Sequence, residues 1–221
     1  MIGELKKMAE DVLLKSNAVL LPEDQYTNMK YPSLIPLMRF KVEQYSISGY
    51  GHVMVMHTTT KMGMELLTMS FMPSEAVALP YLLIDAMSMK KKRCVFVEYY
   101  GCGMDDLNDA SMREIHDRYC SLPEYEEKEN WYIKERMPYS LIKSGEVDKL
   151  IDMAIDSISS YLGSIEGAKV VPEYAGKLRA FRERMITEGN PSSKTLKMLL
   201  KEDGARRFME NVIMPVKRSG E

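Results

Sequence analysis

From residue 37 to residue 100, apolar and polar positions mostly alternate in short segments that turn residues separate. Such a period of two is typical of β-strands. The pattern predicts five strands in succession, over residues 37–47, 52–60, 63–71, 79–87 and 93–100. Because the links between them are short, each strand is expected to return beside the previous one. The middle of the chain therefore predicts a mainly antiparallel sheet.

Apolar residues recur at helical spacing on both sides of this region. Helices are predicted over residues 3–16 before the sheet and over residues 105–119, 147–162, 172–187, 193–201 and 205–213 after it. Residues 17–36 contain Pro22, Pro32 and Pro36 and are interpreted as irregular. Strands with helices before and after them predict an α/β fold, a three-layer α/β/α sandwich around a mainly antiparallel central sheet. We expect one domain spanning residues 1–221.

The net charge and the lengths of the apolar runs indicate which kinds of partner the protein is expected to lack. The formal net charge is −2, whereas a general nucleic-acid-binding protein would be basic. No apolar run approaches the ~20 residues that are needed to cross a bilayer. The first residues lack the apolar core of a signal peptide. We therefore expect a cytoplasmic protein with no nucleic-acid partner and no membrane partner.

Metal-site patterns and short catalytic motifs are absent. The three cysteines, Cys94, Cys102 and Cys120, match no zinc-binding spacing. His52 and His57 are an odd number of residues apart on one predicted strand, so they should face opposite sides of the sheet. There is no P-loop and no Gly-x-Ser-x-Gly. No metal site is expected.

Asp85 is the leading candidate for catalysis. It ends the apolar segment Leu-Pro-Tyr-Leu-Leu-Ile-Asp of residues 79–85, and the residues after it are also mostly apolar. A carboxyl group in such surroundings is costly to ionise, so its pKa should rise. An acid that keeps its proton near neutral pH is a candidate proton donor. The alternative is an Asp that caps a turn or accepts backbone N–H bonds.

Two further features of composition bear on ligands. Twenty methionines occur, many of them in the strand region, including Met54 and Met56. Adaptable methionine side chains suit a broad apolar pocket, although a general preference for Met in the core is the simpler alternative. Residues 90–93 are four consecutive cations between two predicted strands. They could attract an acidic protein or ligand carboxylates, or be ordinary solvated charge.

The order of elements and several local strings resemble the ferredoxin-dependent bilin reductases, with the related red chlorophyll catabolite reductases. These enzymes reduce open-chain tetrapyrroles. The resemblance covers residues 37–215 and rests on a strand that ends at Pro73, the Leu-Pro…Asp string at 79–85, Trp131, Lys143 and the Lys194-Thr195 pair.

The resemblance implies roles for individual residues. Asp85 takes the position of the Asp that protonates the bilin, and Lys143 and Lys194 match basic residues that hold propionates. Met54, Met56 and Thr68 would line the cleft. They stand where members that carry out the fullest reduction have His-x-Glu and a further His. Of that polar network only Asp85 is retained.

The resemblance also implies that no cofactor is bound, since the bilin itself takes electrons from reduced ferredoxin or a similar acidic electron donor. The leading hypothesis is therefore a ferredoxin-dependent oxidoreductase acting on a linear tetrapyrrole. Loss of the His and Glu residues motivates an alternative, a non-catalytic tetrapyrrole-binding or carrier protein on the same fold. Unrelated chemistry on this fold is a third hypothesis, since a fold does not determine a function.

Overall fold

One antiparallel sheet forms the centre of the molecule. The computed structural model describes residues 1–32, 34–90, 92–104, 107–190 and 192–215. The strands within these ranges are β1 (Ala18–Leu20), β2 (Asn28–Tyr31), β3 (Met38–Ile47), β4 (Gly51–Thr60), β5 (Met64–Pro73), β6 (Tyr81–Met89), β7 (Lys92–Tyr100) and β8 (Leu141–Ser144). Their order is β1-β3-β4-β5-β6-β7-β8, with β2 also paired to β3. All these pairs are antiparallel.

The five strands of the alternating region, β3 to β7, confirm the predicted meander. The two short strands β1 and β2 lie in residues 17–36, where the interpretation as irregular structure is wrong. With three and four residues, they are too short to show a period of their own. Both pair with the outer edge of β3, which would otherwise leave its backbone N–H and C=O groups unpaired.

Five helices flank the sheet within the described residues. They are α1 (Ile2–Lys15), α2 (Ala110–Tyr119), α3 (Val147–Gly163), α4 (Tyr174–Thr187) and α5 (Ser193–Phe208). The predicted start of α2 at residue 105 lies outside the described residues. The break predicted between the helices over residues 193–201 and 205–213 is present: α5 is kinked at Lys201, where φ is 60°, and it ends in a wider turn, Met209–Ile213.

Alternation along the strands separates the two faces of the sheet. Val55, Leu67 and Ile84 belong to a core cluster that they share with α1, α2 and α3. Met54 and Met56 belong to a second cluster, which is shared with α4 and α5. Helices therefore cover both faces, and the three-layer α/β/α sandwich is confirmed. None of the helices in the described part of the chain has both the length and the apolarity that crossing a membrane requires.

Candidate functional site

A row of directly paired residues crosses the α5-facing side of the sheet. Met56 on β4 lies opposite Thr68 on β5, Thr68 lies opposite Asp85 on β6, and Asp85 lies opposite Phe96 on β7. Paired residues share a face because side chains alternate along each strand. The period of two thus places Asp85 between a hydroxyl group and an aromatic ring, on the wall of a cavity of about 310 Å³.

Methionine and aromatic side chains form the largest group of residues in the cavity wall. They are Met38, Phe40, Met56, Met64, Met87, Phe96, Tyr125 and Tyr132. The start of α5 contributes Ser192, Thr195 and Leu196 on the opposite side. The volume lies at the lower end of the range of about 300–1,000 Å³ that small-molecule sites occupy. The wall suits an apolar ligand, and its methionines can adapt to the shape of that ligand.

The carboxyl group of Asp85 is the acid at the centre of this wall. The Thr68 hydroxyl donates a hydrogen bond to Asp85 Oδ1 at 2.5 Å. Burial raises the pKa of Asp85 to about 6, against the opposing effects of the Thr68 hydrogen bond and the charge of Arg136. Burial dominates because an ionised carboxylate is poorly solvated among apolar side chains. Asp85 can therefore hold or release a proton close to neutral pH.

A second acid, Glu98 on β7, lines the same cavity and is only 1% exposed. Its Oε1 accepts a hydrogen bond from the Tyr100 hydroxyl at 2.8 Å and forms an ion pair with Arg136 Nη2. Arg136 also binds Glu127 with both terminal nitrogens, at 2.7 Å each. A backbone bridge between Arg136 and Tyr100 holds the connector that carries this guanidinium against β7.

Carboxyl groups outnumber cations in this cluster. Among the described residues, Asp85, Glu98 and Glu127 line the cavity together with a single guanidinium, that of Arg136. Burial raises the pKa of Glu98 to about 7; Arg136 opposes this shift and the charge of Asp85 adds to it. The cavity therefore contains two acids, the partly buried Asp85 and the buried Glu98, whose pKa values lie near neutrality, a combination typical of functional sites.

Three residues of this site, Glu98, Glu127 and Arg136, are not predicted from the sequence. A signal for Glu98 is present, because it is an acid inside the otherwise largely apolar strand β7, just as Asp85 is in β6. No comparable signal marks Arg136 or Glu127. Both lie in the irregular connector between α2 and β8, whose path only the tertiary structure defines.

The structure brings three of the predicted site residues together: Met56, Thr68 and Asp85 line one cavity. Met54 shares their face but is fully buried in the core beside the cavity, in the same row as Ser70. Ser70 donates a hydrogen bond to the carbonyl of Ile213 at 2.5 Å. The turn that follows α5 therefore covers this row, and the prediction that Met54 lines the cleft is wrong in this structure.

Lys143 does not reach the cavity. It lies opposite Val95, whose side chain belongs to the core on the α1–α3 side, whereas Asp85 and Phe96 face the other side. Its ammonium group donates a hydrogen bond to the Cys120 carbonyl at 2.7 Å and pairs with Glu124. The expectation that Lys143 shares a cleft with Lys194 is wrong, because its register position in β8 directs it to the opposite face.

Lys194 lies in the first turn of α5 and is exposed. Ser192 and Thr195, on either side of it in sequence, both line the cavity. Lys194 is therefore a cation near the rim of the cavity, where it can meet a ligand that extends out of the mouth.

Other parts of the described chain are weaker candidates for a catalytic or metal-binding site. A larger cleft of about 510 Å³ lies beside the end of α3, but its charged residues, Lys169 and Glu173, are exposed. Among the described residues, no group of three or more His, Cys, Asp or Glu side chains is arranged to hold a metal ion. His52 and His57 lie on opposite faces of β4, as predicted.

Comparison with known proteins supports the same fold. Phytochromobilin synthase from tomato, solved in complex with biliverdin, matches with a TM-score of 0.73 and 15% identity, over 92% of this chain and 80% of that one. The chain has the bilin reductase fold. A protein named PcyX matches with a TM-score of 0.60 and 13% identity, over 98% of this chain and 100% of that one.

The likeness is structural, since no protein-family model and no curated protein sequence matches this chain significantly. At such low identities the comparison establishes the fold alone. The resemblance to bilin reductases that the strings at 69–73 and 79–85 indicate is thus confirmed at the level of the fold.

Proposed function

We propose that this protein is a ferredoxin-dependent reductase of an open-chain tetrapyrrole, and that Asp85 protonates the ligand. One observation carries the proposal: Asp85, whose pKa burial raises to about 6, lies on the wall of an apolar cavity. Its support is the fold shared with tomato phytochromobilin synthase, whose structure contains biliverdin. The whole chain, residues 1–221, would act as one domain.

The proposed chemistry needs little from the protein beyond binding and proton delivery. A conjugated tetrapyrrole can accept electrons itself, so no bound cofactor is required. An added electron makes the ligand more basic, and Asp85 then transfers the proton that its desolvated carboxyl group holds. The Thr68 hydroxyl, 2.5 Å from Asp85 Oδ1, stabilises the carboxylate that remains.

The size of the cavity constrains how the ligand lies. A chain of four pyrrole rings takes up more space than this cavity of about 310 Å³ offers. The ends of the ligand would therefore extend through the mouth of the cavity. Exposed Lys194, near the rim, is then suited to pair with a ligand carboxylate. Arg136 already binds Glu98 and Glu127, and would have to release Glu127 to accept another carboxylate.

One end of the sheet is basic, which favours the binding of an acidic electron donor. The β4–β5 and β6–β7 hairpins lie side by side because Met64 pairs with Met89. This end carries Lys61, Lys90, Lys92 and Arg93, none of which forms an ion pair with another described residue; Lys91 lies outside the described residues. Met64 also lines the cavity, so a donor docked here would be close to the ligand.

The test is anaerobic reduction of biliverdin by the protein with reduced ferredoxin, followed by absorption spectroscopy. We expect the wild-type protein to convert the bilin spectrum. The Asp85→Asn variant should bind biliverdin but stall after electron transfer, because the electron arrives and the proton cannot follow. Asp11→Asn, at an exposed position on α1, is the matched control and should behave as wild type. Wild-type turnover by Asp85→Asn would contradict the proposed role of Asp85.

A non-catalytic tetrapyrrole-binding or carrier protein is the second candidate. It is favoured by Met56 and Thr68, which lie in the same cross-strand row as Asp85, at positions where the members that carry out the fullest reduction are expected to have Glu and His. The same experiment separates the two functions. A carrier would shift the biliverdin spectrum on binding and leave it unchanged when reduced ferredoxin is added.

A further inference from the structure

The proposed reduction leaves one proton without a source. Saturating one double bond of a tetrapyrrole takes two electrons and two protons, and one carboxyl group supplies only one proton before it must be recharged. Glu98 is a buried acid in the same cavity to which the proposed mechanism gives no role.

Strand geometry places Glu98 beside Asp85. Phe96 lies directly opposite Asp85, and Glu98 follows Phe96 by two residues on β7. Residues two apart on a strand share a face, so both carboxyl groups project from the same side of the sheet. Diagonal neighbours of this kind are only about 7–8 Å apart, so one bound ligand can contact both acids.

The bonding of Glu98 leaves one of its oxygens available. Both of its hydrogen-bonded or ion-paired partners in the described chain, the Tyr100 hydroxyl and Arg136 Nη2, meet at Oε1. Among the described residues no hydrogen bond reaches Oε2, so this oxygen can carry a proton. Glu127 holds both terminal nitrogens of Arg136, so the guanidinium charge is shared between two carboxyl groups. Glu98 therefore shares its nearby cation with a second carboxyl group, which weakens the stabilisation of its own ionised form.

We propose that Glu98 is the second proton donor of this site, an inference that rests on the proposed function. Two one-electron donors of the ferredoxin class each supply one electron. One O–H bond breaks at Asp85 and one at Glu98, and two bonds from hydrogen to ligand atoms form. The dihydro product leaves two carboxylates, which solvent protonates before the next turnover. Arg136 and Tyr100 stabilise the carboxylate left on Glu98.

The experiment is anaerobic single turnover of biliverdin with reduced ferredoxin, followed by absorption and electron paramagnetic resonance spectroscopy. In Glu98→Gln, which keeps the shape of the side chain, we expect binding and the first electron transfer to proceed. The one-electron-reduced bilin should then decay about 100-fold more slowly than in wild type, the scale of a lost general acid. Glu98→Asp keeps a carboxyl group and should restore part of the rate. Glu65→Gln, at an exposed position on the other face of β5, should match wild type.

The outcomes separate this inference from the proposed function. If wild type never reduces biliverdin, the proposed function fails and Glu98 has no proton to deliver. If wild type reduces biliverdin, Asp85→Asn stalls and Glu98→Gln decays at the wild-type rate, only the inference is overturned. Should Glu98→Gln fail to fold, the wild-type protein still gives a test. Decay of the radical should slow as rising pH deprotonates the donors, and a flat pH profile would reject Glu98.

Discussion

Thr68 donates its hydroxyl hydrogen to Asp85 Oδ1 at 2.5 Å, across directly paired positions of β5 and β6. This hydrogen bond favours the charged form of a carboxyl group whose burial favours the neutral form. The acidity of Asp85 is therefore set by two opposing local effects, and either can be changed by substitution.

Replacing Thr68 with Val removes the hydroxyl donor at nearly constant volume. We expect the pKa of Asp85 to rise further, by about one unit, because a hydrogen bond to a charged group contributes about 1.5–3 kcal/mol. Carboxyl carbon NMR titration of Asp85 measures the change directly. Thr58→Val is the control, since Thr58 also lines the cavity but does not bond Asp85. An unchanged or lowered pKa in Thr68→Val would show that this hydrogen bond does not act on Asp85.

The raised pKa of Asp85 predicts a dependence of stability on pH. The folded protein holds this proton up to about pH 6, whereas the unfolded chain releases it near its ordinary value of 3.8. The contribution of Asp85 to stability is therefore complete below the lower value and is lost as the pH rises through the higher one.

Asp85→Asn should therefore be more stable than wild type above pH 7, by on the order of 1–3 kcal/mol. The difference should shrink as the pH falls toward the ordinary pKa of an Asp. Urea unfolding at about pH 5 and about pH 8 measures it, with Asp11→Asn expected to show no such trend. A variant that is less stable than wild type at the higher pH would indicate that the carboxylate is well solvated.

Arg136 neutralises a buried acid, so its removal should cost far more than the loss of a surface cation. Arg136→Met leaves Glu98 without its ion-pair partner, and breaking a buried pair in this way costs about 3–5 kcal/mol. Because Arg136 lowers the pKa of Glu98, the variant should raise that pKa and lose more stability at high pH than at low pH.

Urea unfolding curves at two pH values measure this effect. Arg179→Met is the control: Arg179 is 60% exposed and pairs with Glu75 at 2.9 Å. Its loss should cost less than about 1 kcal/mol at either pH. Similar losses in the two variants would mean that Arg136 acts as an ordinary surface residue.

Substitutions of the two lysines that resemble propionate-binding residues should have different effects on stability and on biliverdin affinity. Lys143→Met should lower stability and leave biliverdin affinity unchanged, because Lys143 is buried on the other face with Glu124 and the Cys120 carbonyl. Lys194→Ala should keep the stability and weaken biliverdin binding by about 2- to 5-fold, the scale of an exposed ion pair.

Fluorescence or absorption titration with biliverdin and with its dimethyl ester tests both expectations. The ester lacks the carboxylates, so Lys194→Ala should bind it as well as wild type does. Equal weakening for the acid and the ester would remove Lys194 from carboxylate binding. A stable Lys143→Met variant that loses affinity would show that this lysine reaches the ligand after all.

Local pattern alone predicts the frame of the protein. The period of two from residue 37 to residue 100 defines β3 to β7, because a strand that buries its faces must place apolar residues at regular intervals. Asp85 is predicted as a buried acid on the same grounds, since it stands in an apolar segment. These features depend on neighbours a few residues away.

The tertiary structure decides what depends on register and on chain path. Lys143 faces away from the cavity because it pairs with Val95 rather than with Phe96, and a shift of one residue would reverse its face. Glu98 meets Arg136, which also binds Glu127, only because an irregular connector folds back against β7. Pairing between distant segments carries no local period, so the counterion of the second acid emerges only from the folded chain.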